Sequence, residues 1–190
     1  MKPILIAVLA CLVGIGLPSA TTASGPPAVG HPLPAIELPV PADAAQRQYL
    51  GLAAGEKTFT IGRIRAQVVI IEIFSMYCPH CQREAPTVND FFREIEADPK
   101  LKGKVKLIGI GAGNSLYEIN FFRKKYAVPF PLFPDSKFDI HKKIGEVRTP
   151  YFMAVKIAPD GSQSVFFSRL GGAQDAGILL KDLMNKVLAP

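Results

Sequence analysis

The chain has 190 residues, of which 48% are hydrophobic and 20% are charged, and its formal net charge is +6 at pH 7. This length fits one compact domain with a short targeting segment, since domains commonly contain about 100–200 residues. Basic residues are scattered apart from short clusters at 123–125 and 142–143, which solvated surfaces ordinarily explain. With no nucleic-acid-binding motif in the sequence, we expect no nucleic-acid partner.

The N-terminus has the pattern of a secretory signal. Lys2 is followed by an apolar stretch to Leu17 and then by small residues to Ala23, which matches the charged, hydrophobic and cleavage regions of signal peptides. We therefore predict that residues 1–23 direct export to the periplasm, with an uncleaved membrane anchor as the alternative. Cys11 has more apolar residues after it than before it, which suits a signal peptide better than a lipid-attached N-terminus.

Residues 24–41 are rich in glycine and proline and predict a linker, and residues 42–190 predict a single domain. We expect the linker to end in an extended segment at 33–38 on an edge of the sheet, because proline cannot donate to a sheet ladder. A short helix around 44–50 and a strand over 57–64 would precede the central strand.

The central strand is predicted at 67–74, where nearly continuous β-branched residues are typical of a strand covered on both faces. Glu72 interrupts this run. A buried carboxylate is costly unless it is neutral, hydrogen-bonded or functional, so two interpretations of Glu72 stay open: a functional acid in the core, or a charge at a solvated strand edge.

The rest of the chain alternates between helical and extended patterns. Apolar residues at helical spacing predict a helix over 79–97, followed by a buried strand at 105–110. Ser115 and Glu118 form a capping-box pattern. The helix that it opens is predicted to bury four apolar side chains: Leu116, Ile119, Phe122 and Tyr126.

The C-terminal third begins with an extended segment at 128–135. A short helix over 136–144 follows, on which His141 is expected to be solvated. The Asp-Gly turn at 160–161 predicts a hairpin of strands 151–158 and 163–168, and the last helix is predicted over 173–187.

Two of the three cysteines, Cys78 and Cys81, lie just after the central strand and three residues apart. At the start of a helix this spacing puts both sulfurs on one face, so a disulfide can form and reopen without moving the scaffold. The helix N-terminus lowers the pKa of the first thiol. A zinc site would need a second pair of ligands at comparable spacing, and no other cysteine pair exists. The motif predicts a redox-active dithiol.

The surroundings of this motif resemble the thioredoxin superfamily, in its exported TlpA/ResA-like branch of thiol–disulfide oxidoreductases. The resemblance runs from about residue 29 to the C-terminus and depends on an aromatic strand end and on Tyr77, Cys78, Cys81, Glu84, Pro86, Thr149 and Pro150. It implies an α/β, thioredoxin-like fold with a central mixed β-sheet flanked by helices, an extra βα insert and an N-terminal extension. Tyr77 replaces the usual tryptophan, and Pro79-His80 is the dipeptide of DsbA-type oxidases.

The resemblance also implies catalytic roles. Cys78 would attack a substrate disulfide, and Cys81 would resolve the mixed disulfide. Glu72 and Glu84 match two acids of the family and would assist proton transfer, although an exposed helix charge is an equal interpretation of Glu84. His80, next to Pro79 in the motif, would stabilise the Cys78 thiolate.

Three residues are expected to bind substrate: Tyr77, Thr149 and Pro150. Family members hold a cis proline at the position of Pro150, which turns the preceding backbone toward an extended substrate strand. An ordinary trans proline is the alternative.

These features predict an exported enzyme that exchanges disulfides with partner proteins, acting as a reductase on substrates such as apocytochromes c. A membrane electron donor would recycle the dithiol, and no cofactor or metal is expected beyond the Cys78–Cys81 disulfide. Three alternatives stay open. One is a DsbA-like oxidase, and another is a peroxiredoxin-like enzyme, suggested by Ser75-x-x-Cys78 although Ile71 stands where proline is expected. The third is a copper-binding module that uses both cysteines and His141.

Overall fold

The structure is a computed structural model that describes residues 25–171 and five residues of the C-terminal segment: Gly177, Lys181, Met184, Asn185 and Val187. The predicted signal peptide and most of the predicted last helix lie outside the described residues. The five described C-terminal residues are helical. Within the described part of the chain, no helix combines the length and the apolar character needed to cross a membrane.

The N-terminal part forms a ribbon that is separate from the main sheet. Strand β1 (Glu37–Pro39) pairs antiparallel with β2 (Thr58–Thr60), and helix α1 (Ala44–Leu50) lies between them in the chain. The helix predicted around 44–50 is thus confirmed. The expected position of segment 33–38 on an edge of the main sheet is wrong, because only its last two residues, Glu37 and Leu38, are in a strand, and they pair with β2 instead. The strand predicted over 57–64 is shortened, because a 3-10 turn (Ile61–Arg63) follows β2.

The main sheet has five strands in the order β5-β4-β3-β6-β7. In chain order they are β3 (Val68–Phe74), β4 (Val105–Ala112), β5 (Leu132–Asp135), β6 (Tyr151–Ile157) and β7 (Gln163–Leu170). β3 is parallel to β4 and antiparallel to β6, and all seven of its residues are buried. The prediction of a mixed sheet with this strand at its centre is confirmed.

Three helices follow strands of the main sheet: α2 (Pro79–Ala97), α3 (Leu116–Tyr126) and α4 (Asp139–Lys143). The predicted capping box of Ser115 and Glu118 opens α3 with both of its reciprocal hydrogen bonds. The prediction that Leu116 points inward is wrong, since 61% of this residue is exposed. Leu116 lies in the first turn of α3, where it lines a surface groove instead of the core.

The sheet has two differently covered faces, which alternate along β3 as strand geometry requires. On what we call the helix face, Val68, Ile70 and Phe74 pack with residues of α2 and α3. On the extension face, Val69, Ile71 and Ile73 pack with residues of α4 and of the N-terminal segment, including Leu33, Ile36, Leu38, Leu50 and Phe59. The region predicted as a linker therefore contributes side chains to the core.

Candidate active site

Cys78 and Cys81 lie where β3 gives way to α2, on the helix face of the sheet. Cys78 is the N-cap residue of α2, with extended backbone angles (φ −81°, ψ 115°), and Pro79 begins the helix. Proline suits this position because the first helical N–H groups have no intrahelical acceptor. Both cysteines are free thiols, of which Cys78 is half-buried and Cys81 is buried.

Two side chains hold the segment that leads into Cys78. Asn114, which is fully buried, accepts a hydrogen bond from the Met76 N–H (2.8 Å) and donates one to Ser75 Oγ (3.4 Å). Gln82 donates to the Met76 carbonyl oxygen at 2.7 Å. Sequence reasoning missed Asn114. Its signal was a polar residue at the carboxyl end of a predicted buried strand, the end at which sites in α/β sheets commonly lie.

The Cys78 sulfur is held against the loop that precedes β6. Its thiol donates to the Thr149 carbonyl oxygen at 3.3 Å, and its sulfur accepts from the Cys81 N–H at 3.5 Å. Burial alone would raise the Cys78 pKa, but hydrogen bonds from the Thr149 side chain and from the backbones of Cys81 and His80 outweigh burial and lower the pKa below its ordinary value. Cys78 is therefore the more easily ionised thiol.

Cys81 has the opposite electrostatic environment. Cys81 is fully buried, with 0% of its surface exposed. Burial raises its thiol pKa, and the nearby charge of Glu72 raises it further. The pair therefore combines an accessible thiol that ionises readily with a buried thiol that keeps its proton.

Glu72 and Glu84 are both buried, with 4% and 2% of their surfaces exposed. These values exclude a solvated strand edge for Glu72 and an exposed helix charge for Glu84. By strand alternation Glu72 lies on the helix face, as do the cysteines. Burial raises the Glu72 pKa to about 8, and the charges of Glu84 and Cys78 add to the shift.

The Thr149-Pro150 peptide bond is cis, as predicted. Pro150 is buried and Thr149 is half-buried beside Cys78. Tyr77 precedes Cys78 in the chain and 65% of it is exposed, and its hydroxyl donates a hydrogen bond to the Glu118 carboxylate. The structure thus brings all three predicted substrate-binding residues to the rim of the dithiol.

The two histidines of interest are engaged in different contacts. His80 is exposed, and its Nδ1 lies 3.0 Å from an Arg83 guanidinium nitrogen; because guanidinium groups only donate, Nδ1 is the acceptor. His141 is half-buried, and its Nε2 donates to the Val147 carbonyl oxygen at 2.8 Å. The expected solvated position of His141 is therefore wrong.

A metal site has little support in this geometry. Among residues 25–171 and the described C-terminal positions, no group of three or more His, Cys, Asp or Glu side chains could hold a metal ion. The three copper ligands considered from the sequence are therefore not brought together.

We compared the chain with models of known protein families and with known proteins. The model of the AhpC/TSA family matches residues 29–162. Comparison with curated proteins gave no match.

Three solved structures illustrate the structural similarity. The thioredoxin domain of a thiol-disulfide oxidoreductase from Bacteroides vulgatus is 14% identical, covers 85% of this chain and 99% of its own, and has a TM-score of 0.61. A candidate DsbE thiol:disulfide interchange protein from Chlorobium tepidum is 14% identical, with 85% and 96% coverage and a TM-score of 0.60. Another thiol:disulfide interchange protein of the thioredoxin family, from Chlorobium tepidum TLS, is 16% identical, with 82% and 97% coverage and a TM-score of 0.52. These similarities show that the fold is thioredoxin-like.

Proposed function

The chain belongs to the AhpC/TSA family and is a thiol–disulfide oxidoreductase of the redoxin kind, and we propose that it acts outside the cytoplasm as a reductase of disulfide bonds in partner proteins. The observation that carries this proposal is the asymmetry of the two sulfurs. Cys78 is accessible, with a lowered pKa, whereas Cys81 is buried beside a carboxylate, with a raised pKa. Disulfide exchange needs one thiol that ionises and attacks the substrate disulfide. It also needs a second thiol that stays protonated until it resolves the mixed disulfide.

The first step is attack by the Cys78 thiolate on one sulfur of a substrate disulfide. A mixed disulfide forms, and the other substrate sulfur leaves as a thiolate and takes up a proton. The Thr149 carbonyl oxygen, 3.3 Å from Cys78 Sγ, lies where an extended substrate strand could donate a backbone hydrogen bond to it. Tyr77 and Thr149 would thus bind the substrate beside the reacting sulfurs.

The second step requires Cys81 to lose its proton and attack Cys78 Sγ. Glu72 is the carboxylate whose charge most affects Cys81, and its raised pKa of about 8 allows it to exchange a proton near neutral pH. The substrate's remaining sulfur then leaves as a thiol. Two electrons have passed to the substrate, and the Cys78–Cys81 disulfide must be reduced by an external donor, which we propose is a membrane electron carrier.

The reducing direction is supported by the environment of Cys81. The Cys81 thiol, with its pKa raised by burial and then by the Glu72 charge, keeps its proton, so its ionisation adds no stability to the reduced form, and this makes the couple a better reductant. The signal-like residues 1–23 support export. Periplasmic proteins whose cysteines must be reduced before further assembly, such as apocytochromes c, are the proposed substrates.

The test is turnover of a protein disulfide such as insulin with dithiothreitol as electron source. Both Cys78→Ala and Cys81→Ala should abolish turnover, but only Cys81→Ala should accumulate a mixed disulfide with the substrate, since it keeps the attacking thiol. Equal trapping by both variants would overturn the assigned roles. In exporting cells, Cys81→Ala should retain its natural partners as mixed disulfides, and their identification tests the proposed substrates.

A peroxidase is the second candidate, favoured by the AhpC/TSA match itself. Replacing insulin by hydrogen peroxide in the same assay separates the two functions. Peroxide consumption that exceeds insulin reduction, and that persists in Cys81→Ala, would favour the peroxidase.

A further inference from the structure

The two outer edges of the main sheet differ in how they are covered. On the edge of β7, the Gly30 N–H donates to the Val165 carbonyl oxygen at 2.7 Å, and the Val165 N–H donates to the His31 carbonyl oxygen at 2.9 Å. The N-terminal segment therefore pairs with that edge. Such cover matters because an unpaired strand edge offers hydrogen-bonding groups to any other extended chain.

The edge of β5, on the far side of the sheet, is not paired in this way. The carbonyl oxygens of Pro131 and Asp135 accept from N–H groups of β4 and of the residue after it, at 2.9 and 3.0 Å. Backbone groups of successive residues in a strand point in opposite directions, so those of Leu132 and Pro134 point outward. Within residues 25–171, the Leu132 N–H and the two carbonyl oxygens have no hydrogen-bond partner.

A groove of about 460 Å³ runs along this edge, and we call it the edge groove. Its floor is formed by β5 residues 132–134. One wall is α3, which contributes Leu116, Asn120 and Arg123, and the other wall is the apolar stretch 39–42 with the start of α1. The outward-pointing backbone of β5 therefore lies between two walls that provide apolar contact.

The walls of the edge groove are held in place by the protein itself. Arg47 Nη1 donates to the carbonyl oxygens of Pro41 and Ala42, at 2.9 and 2.6 Å, and the Asp43 carboxylate caps α1. In the opposite wall, 61% of Leu116 is exposed to water. A preorganised surface loses little freedom on binding, and covering an exposed leucine is favourable.

Arg123 contributes an unpaired donor to the edge groove. The residue is half-buried, and its Nε is buried without a hydrogen-bond acceptor. Its guanidinium forms no ion pair with a carboxylate in the described part of the chain. A buried donor without an acceptor is costly, so an acceptor supplied by a ligand would remove this cost.

The polar groups of the edge groove favour a peptide over an anion. Asp43 lines the groove together with Arg123, and its negative charge would oppose an anionic ligand. The amides of Gln46 and Asn120 both donate and accept hydrogen bonds. A peptide group also offers one donor and one acceptor, which matches the mixture of groups along this edge.

We propose that the edge groove binds an extended, uncharged segment of a partner protein as an added strand. Its backbone pairs with Leu132 and the Pro134 carbonyl oxygen, one of its carbonyl oxygens accepts from Arg123 Nε, and its apolar side chains contact the two walls. The four residues of β5 limit the pairing to about 13 Å. This recognition site includes none of the residues at the rim of the dithiol and does not depend on the reductase function.

The experiment adds short, blocked peptides without cysteine to the reduced, nitrogen-15-labelled protein. Threonine alternates in them with valine, leucine or phenylalanine. Nuclear magnetic resonance follows the Arg123 Nε–H signal and the exchange rate of the Leu132 N–H. At least one peptide should shift the Arg123 signal. At about ten times its Kd this peptide should slow Leu132 exchange about 10-fold, because only the free fraction exchanges.

A matched peptide tests the strand geometry. Methylating the backbone nitrogen of every second residue removes the donors on one edge of the peptide and keeps its side chains. One of the two alternating patterns of methylation should abolish binding, because the Leu132 and Pro134 carbonyl oxygens then lose their donors. Binding that survives both patterns would contradict an added strand.

Arg123→Met keeps an unbranched side chain and removes the donor, and it should weaken peptide binding about 10-fold. Lys124→Met is the matched control, because Lys124 is the next residue of α3, is exposed and does not line the edge groove. The control should bind the peptide as the unaltered protein does. Both variants should reduce insulin at the unaltered rate, which shows that they are folded.

Three outcomes would overturn the proposal: no effect of any peptide on Leu132 exchange, signal changes confined to the rim of the dithiol, or equal weakening by Arg123→Met and Lys124→Met. Peptide binding by a protein that fails to reduce insulin would support the edge groove and contradict the proposed function. The two proposals therefore fail separately.

Discussion

The two faces of the main sheet differ in what they bury. On the extension face, Val69, Ile71 and Ile73 meet an apolar layer contributed by the N-terminal segment and α4. On the helix face, the same strand buries Glu72. The charge of this carboxylate interacts with the thiols of Cys78 and Cys81. One strand therefore presents only apolar side chains on one face, and one titratable side chain among apolar ones on the other.

This difference indicates how the fold supports a costly site. A carboxylic acid in the core is unfavourable when it ionises, and the helix face contains two such acids, Glu72 and Glu84. Each fully buried aliphatic side chain on the extension face contributes about 1.5–3 kcal/mol relative to exposure. We infer that the extension face offsets the cost of the acids on the helix face.

The largest effect is expected from Ile71→Ala on the extension face. Ile71 is 0% exposed, and removing its methyl and methylene groups should lower the free energy of unfolding by about 2–5 kcal/mol. Urea denaturation measures this loss. In the folded variant, the pH dependence of Cys78 alkylation should match that of the unaltered protein, because Ile71 points away from the thiols. A shifted alkylation profile would mean that the two faces are not separate in function.

Glu72→Gln is expected to show a smaller effect that depends on pH. The folded-state pKa of Glu72 is raised to about 8 from an ordinary value of 4.5, so the folded state holds this proton more tightly than the unfolded state. Its contribution to stability is present below about pH 4.5 and is lost as pH rises through 8. Relative to the unaltered protein, the glutamine variant should therefore gain stability across this window, reaching a few kcal/mol at most.

Urea titrations of the reduced proteins at several pH values between 4.5 and 9 test this prediction. Glu94→Gln, a change at an exposed position of α2, is the control for losing a surface carboxylate. A stability difference between Glu72→Gln and the unaltered protein that stays constant with pH would contradict a raised pKa.

Asn114→Ala should have the smallest effect of the three. The substitution leaves the Met76 N–H without its side-chain acceptor and removes the hydrogen bond to Ser75 Oγ, at an expected cost of about 1–3 kcal/mol. Because these bonds position the approach to Cys78, insulin reduction should fall even where the variant is fully folded. Stability loss with unchanged turnover would restrict Asn114 to a structural role.

The features that sequence predicted well are those with local signals. The buried run of β3, the capping box at Ser115 and the Asp-Gly hairpin turn depend on neighbouring residues, and all three are present. The cis bond before Pro150 followed from family resemblance.

The features that sequence missed depend on distant partners. Segment 33–38 gives no indication of whether its backbone will pair with β2 or with the main sheet. The Asn114 contact to Met76 joins residues 38 positions apart. The burial of Glu84 and the exposure of Leu116 are decided by which elements cover α2 and α3, and helical periodicity alone does not specify this.

The central claim is that the Cys78–Cys81 pair is a reductant, and its reduction potential tests this claim most directly. We expect equilibration with glutathione or dithiothreitol buffers to give a value closer to thioredoxin, about −270 mV, than to DsbA, about −120 mV. His80→Pro should make the couple still more reducing, because proline lacks the backbone N–H that stabilises the Cys78 thiolate. A potential near that of DsbA, or one unchanged by His80→Pro, would contradict the account and indicate an oxidase.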